Sequence, residues 1–140
     1  MKKFLFLILL LITFQGIIAQ TLHLYGGKSH QIYLGCLNCN QYDSNSIWNE
    51  YGTYGNQYNT NSIWNEYGTF GSEYSSFSPW NEYASYPPVI VDEDGNFYGY
   101  LTVNEFNNKR ADFDLALILY KYHDLIKDNV GKWYEKIFEE

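Results

Sequence analysis

YDSNSIWNEYGTYGNQ (42–57), YNTNSIWNEYGTFGSE (58–73) and YSSFSPWNEYASYPP (74–88) are one phrase written three times, in a register fixed at 16 residues. A constant period without insertions implies stacked, near-equivalent units. Pro79 stands where the first two copies have Ile47 and Ile63. Proline suits the first position of a helix, where its missing N–H has no partner to lose. Ser46, Ser62 and Ser78 then fall on an N-cap, Glu50, Glu66 and Glu82 lie near the positive helix end, and Gly52 and Gly68 sit where a left-handed residue stops it. Each copy is therefore predicted to be a helix of little more than one turn, with Trp48 and Tyr51 (Trp64 and Tyr67, Trp80 and Tyr83) on a shared face. So short a helix depends on packing between copies.

Residues 1–19 carry Lys2 and Lys3, then an apolar run, then Ile17-Ile18-Ala19 before Gln20. This pattern predicts a secretory signal peptide, too short to span a membrane comfortably, and no integral span once it is removed. The chain has nine Lys plus Arg against sixteen Asp plus Glu; losing Lys2 and Lys3 leaves seven against sixteen, a net charge of −9. No Lys or Arg occurs between Lys28 and Lys109. Nucleic acid is excluded as an expected partner, and the expected location is secreted, periplasmic or cell envelope.

Flanking the repeats are two hairpin patterns. Residues 21–25 and 30–34 surround Gly26-Gly27-Lys28-Ser29, which predicts a four-residue loop with Tyr25 opposite His30. Residues 89–91 and 97–103 surround Asp92-Glu93-Asp94-Gly95-Asn96, whose Asp-Gly turn is a strong hairpin signal. Since one hairpin alone is marginal, the two are expected to form a small antiparallel sheet. From Asp112, Leu115, Leu119, Tyr122, Ile126, Val130, Trp133 and Ile137 recur at three or four residues. That stripe predicts an amphipathic helix docked on the sheet, kinked or split by Gly131 near Asn129, with His123 beside it as a solvent-facing or edge histidine rather than a ligand. The expected fold class is α+β: signal peptide 1–19, a hairpin/aromatic-repeat/hairpin module 20–110, and a C-terminal helix 111–140.

His23, His30, Cys36 and Cys39 are the nearest approach to a metal-ligand cluster. A continuous strand would separate His30 from Cys36 by about 20 Å at roughly 3.3 Å per residue, which argues against four joint ligands. In an exported chain a Cys36–Cys39 disulfide is the leading reading, ahead of free thiols, metal and C-x-x-C redox catalysis in that order.

The stretches LYGGKSHQIYLGCLNC (24–39), SIWNEYG followed by YG, SPWNEYA, and PPVIVDEDGNFYGYLTVN (87–104) resemble an uncharacterised family of exported bacterial modules. The resemblance covers roughly residues 22–110. It implies export and carries over no ligand or catalytic residue; the helix from Asp112 lies beyond it.

No enzyme signature stands out, and one acid copied into three similar environments suits binding better than acid–base catalysis, which needs carboxyls whose pKa values differ. The expected function is a non-enzymatic binding or interaction module for a glycan or other envelope component. Its candidate residues are Trp48, Asn49, Glu50, Trp64, Asn65, Glu66, Trp80, Asn81 and Glu82, with aromatic faces for sugar rings and polar groups for hydroxyls. For any single Trp the core reading weighs more, since small repeats have little else to bury. The alternatives are a calcium-stabilised repeat using Glu50, Glu66 and Glu82, with no other cofactor expected, and a thiol-dependent or hydrolytic enzyme.

Overall fold

A computed structural model describes residues 20–139; the expected signal peptide lies outside them. Small polar residues recur at every third position of the repeat, and this decides its local structure. In the second copy Asn59, Ser62, Asn65 and Gly68 each offer a backbone carbonyl to the amide three residues on, at 3.0–3.3 Å. Gly68 also spans four residues to Ser72 N (3.0 Å), and that longer step brings four three-residue steps up to the 16-residue period. The Asn or Ser side chain of a step accepts the amide two residues on: Asn61 N to Asn59 Oδ1, Trp64 N to Ser62 Oγ, Tyr67 N to Asn65 Oδ1. These are Asx and Ser turns laid end to end.

The serines therefore cap as expected, but what they cap is a turn: no copy contains a helix. Gly52 and Gly68 have no positive φ and do not act as left-handed stops. Nor do Trp and Tyr share a face. Each turn swings Trp48, Trp64 and Trp80 inward, at 0%, 1% and 7% exposure, and sends Tyr51, Tyr67 and Tyr83 outward.

The indoles join the layers. Trp48 Nε1 donates to Leu37 O (2.7 Å), Trp64 Nε1 to Ile47 O (2.7 Å) and Trp80 Nε1 to Ile63 O (2.6 Å), so each ring satisfies a buried carbonyl of the layer before it. Ring centroids along this column stand 5.8 and 5.7 Å apart. A Cβ on Gly71 would overlap the Asn65 carbonyl, which is why only glycine serves there and at Gly55.

The sheet is four-stranded and antiparallel as expected: β1 His23–Gly26, β2 Ile32–Cys36, β3 Val89–Val91 and β4 Phe97–Tyr100, in the order β2-β1-β3-β4. The first hairpin differs in register. Tyr25 faces Tyr33 rather than His30, because the loop runs over residues 27–31; beyond that pair a bulge admits one extra residue at Leu34. Gly35 makes the bulge possible: its φ is +110°, and a Cβ there would stand 2.7 Å from Tyr54 Cβ. The second hairpin turns where Asp-Gly predicts. Asp92 accepts hydrogen bonds from the amides of Asp94 and Asn96, the Asn96 side chain and the Tyr98 hydroxyl, all at 2.9 Å. The Asn96 side-chain bond leads in holding the Asp92 carboxyl down to about 2, against a smaller opposing push from burial.

The C-terminal segment splits where expected, into α1 Asp114–Ile126 and α2 Val130–Phe138. Its apolar side does not dock chiefly on the sheet. It covers the tryptophan column: His123 of α1 stacks on Trp80 at 4.4 Å and 3°, while Tyr134 and Phe138 of α2 meet Trp48 at 6.1 and 5.6 Å. The rings explain the difference, since Trp48 and Trp80 end the column and each has a face that only another element can cover. His123 is accordingly packed rather than solvent-facing. Among the described residues no helix is long and apolar enough to cross a membrane.

Candidate functional site

With the tryptophans inside, the tyrosines form the outer face. Tyr42, Tyr58 and Tyr74 make one column and Tyr51, Tyr67 and Tyr83 a second, all between 78% and 89% exposed. Backbone turns fix where each ring leaves the chain, because Asn49, Asn65 and Asn81 hold the amides of Tyr51, Tyr67 and Tyr83 at 3.0–3.1 Å. Large apolar groups exposed in a regular array, rather than singly, mark an interaction surface.

Four cavities run along this face. The first, 480 Å³, is bounded by Tyr42, Tyr51 and Glu50; the second, 290 Å³, shares Tyr51 and Glu50 and reaches Tyr58 and Lys127. The third, 530 Å³, takes Lys127 on to Tyr67 and Tyr74, and the fourth, 600 Å³, runs from Tyr74 to Tyr83 and Val103. Each shares lining residues with the next, so they stand in a row, a groove interrupted by the rings, that crosses all three copies. The join between α1 and α2 forms part of the opposite wall of the first three. Carboxylates dominate the charge there: Glu50, Glu66, Glu73, Glu82, Asp124, Asp128 and Glu135 line the cavities with Lys127 and Lys132.

The residues singled out in sequence divide by role. Trp48, Trp64 and Trp80 are core: they border the first, third and fourth cavities but expose at most 7% of their surface. Asn49, Asn65 and Asn81 are turn-formers, each Nδ2 also donating to a carbonyl six residues back (Asp43, Asn59, Ser75) at 3.0–3.2 Å. Glu50 lies beside the start of α2, 3.4 Å from where a Gly131 Cβ would be, and Glu66 pairs with Lys127 at 3.3 Å. Burial pulls the Lys127 ammonium down, but Glu66 and Asp128 outweigh it and hold the pKa above its ordinary value. Glu82 borders the fourth cavity. The three glutamates thus meet different partners. Cys36 and Cys39 form a disulfide, His23 Nδ1 bonds the Tyr33 hydroxyl (2.7 Å), and His30 Nε2 lies 3.2 Å from Pro87 O, so the four candidate metal ligands have separate roles.

Sequence reasoning missed the tyrosine columns as the exposed set. The signal was present in the Asn, Ser and Gly that recur at each three-residue step: these residues favour turns over helix interiors, and a run of such turns sends neighbouring aromatics to opposite sides. Compared with known protein families, curated proteins and solved structures, the chain finds no match.

Proposed function

We propose that this chain is an exported, non-enzymatic binding module whose tyrosine-combed groove takes an extended glycan of the cell envelope. One observation carries the reading: six nearly fully exposed tyrosines recur in two columns along a row of adjoining cavities, at positions the turns hold fixed. Tyrosine offers a flat apolar face and a hydroxyl at low cost in conformational entropy, which suits a sugar ring with its apolar face and polar rim. The groove's carboxylates are acceptors for sugar hydroxyls. Identical positions at a constant spacing suit a ligand that itself repeats, because weak contacts then add along one chain. The disulfide fits an oxidising compartment, in keeping with the leader-like start of the sequence.

The test is a printed array of bacterial envelope glycans, probed with residues 20–140 and with a Tyr51→Ala/Tyr67→Ala/Tyr83→Ala variant. Binding by the parent chain and its loss in the variant, at an unchanged melting temperature, is the expected result. Glycan binding that survives removal of the three rings would reject the groove as the site.

A further inference from the structure

We infer that the groove has a fourth binding position which the written repeat does not announce, built by Val103-Asn104-Glu105-Phe106 with Phe106 as its ring. The inference rests on the glycan reading above. In each copy the motif Trp-Asn-Glu-Tyr turns an aromatic outward, and residues 103–106 carry the same motif with Val for Trp and Phe for Tyr. Hydrogen bonding makes the correspondence physical. Asn104 Oδ1 accepts the Phe106 amide at 3.0 Å, as Asn81 Oδ1 accepts that of Tyr83 at 3.0 Å. Asn104 O accepts the amide of Asn107 (3.2 Å), as Asn81 O accepts that of Ala84 (3.1 Å).

The stacking contact is kept as well, by another donor. Leu37, Ile47 and Ile63 carbonyls are each taken by a tryptophan indole of the next layer; Pro79 O, next in the series, is taken by the Val103 backbone amide at 2.8 Å. Valine has no indole N–H, yet the layer still docks. The match is looser at its start, where the Thr102 hydroxyl takes the amide of Asn104 and so lies one position off the serine of the other copies.

Phe106 is 94% exposed, the most open large apolar side chain among the described residues, and contributes nothing to the core. The fourth cavity runs from Tyr74 and Tyr83 to Val103, so the groove reaches this layer rather than stopping at the third copy. A further cavity of 380 Å³ beyond it is lined by Val103, Glu105, Arg110 and Lys121, so two cations join the carboxylate at this end. Lacking a hydroxyl, Phe106 stacks without hydrogen bonding. It therefore selects for ligand length and for a sugar that turns an apolar face outward at that point.

The experiment compares the parent chain, Phe106→Ala and Tyr83→Ala on a printed array of bacterial envelope glycans, each represented by a series graded in length from the disaccharide upward. Phe106→Ala should weaken binding to the longest members by roughly threefold to tenfold, the scale of one aromatic contact, and leave the shortest unchanged. Tyr83→Ala should weaken intermediate and long members alike. Phe106→Ala equal to the parent at every length overturns the fourth position and leaves the glycan reading standing. If the parent binds no feature of the array, both fall.

Discussion

Replacing Trp64 by Phe tests the central element of this architecture, since one ring is asked both to fill the column and to satisfy a carbonyl. Trp64 lies between Trp48 and Trp80, and its Nε1 donates to the carbonyl of Ile47, a residue with no exposure. Phenylalanine keeps a ring but has no donor. Leaving the Ile47 carbonyl unpaired in the interior costs about 1–3 kcal/mol. The smaller side chain adds a void and lost transfer energy of about 1–2 kcal/mol. The sum, about 3 kcal/mol, corresponds to a fall of roughly 12 °C in a domain of this size, at about 4 °C per kcal/mol. Tyr67→Phe and Tyr67→Ala supply the contrast: that ring lies three residues away and is almost wholly exposed, so both should stay within about 0.5 kcal/mol of the parent. Thermal unfolding followed by far-UV circular dichroism measures all three. A Trp64→Phe variant as stable as the parent, or a Tyr67→Ala variant that falls as far as Trp64→Phe, would refute the inward-Trp, outward-Tyr assignment.

Other outcomes follow from the same structure. Gly71→Ala should fold poorly or lose several degrees, because its Cβ would overlap the Asn65 carbonyl, whereas Gly95→Ala, with nothing within 4 Å but a φ of +83°, should cost only about 1 kcal/mol; melting temperatures compare them. Reducing Cys36–Cys39 should cost about 2 kcal/mol, the loop-closure value for a four-residue ring, read as a shift in the urea midpoint with and without reductant. Ile63→Pro should be markedly destabilising even though Pro79 is native at the matching site, since Ile63 is fully buried and its side chain is lost from the core. Burial holds the His123 imidazole below its ordinary pKa, against raising by Asp124 and Glu73 and with a smaller lowering from Lys127. The unfolded chain then takes up a proton first as pH falls through about 6.5, so this contribution to stability is present above that pH and is lost below it. His123→Phe, which keeps a ring on Trp80, should flatten the melting-temperature profile between roughly pH 7 and 5.

Much of the frame was legible in the residues. Alternation and an Asp-Gly turn marked the second hairpin, a three-and-four stripe marked the C-terminal helices and their break, and two cysteines three apart in a chain with a leader-like start marked the disulfide. Each of these is a local signal, in which the residues that decide the structure are neighbours in sequence. The 16-residue period likewise established that the copies are equivalent and that they stack. What one copy looks like was another matter. Serine before a helix and serine before a turn make the same bond to the amide two residues on, so the capping pattern at Ser46, Ser62 and Ser78 could not separate them. The separation came from the layer behind: Trp48, Trp64 and Trp80 swing inward because the carbonyls of Leu37, Ile47 and Ile63 await a donor there. That in turn leaves Tyr51, Tyr67 and Tyr83 outside and shifts the candidate site from the indoles to the phenols. The bulge of the first hairpin and the fourth layer at Val103-Asn104-Glu105-Phe106 were decided in the same way, by Tyr54 packed against Gly35 and by an amide that reaches Pro79. Both depend on groups more than fifteen residues apart, and a linear pattern does not contain the distance between them.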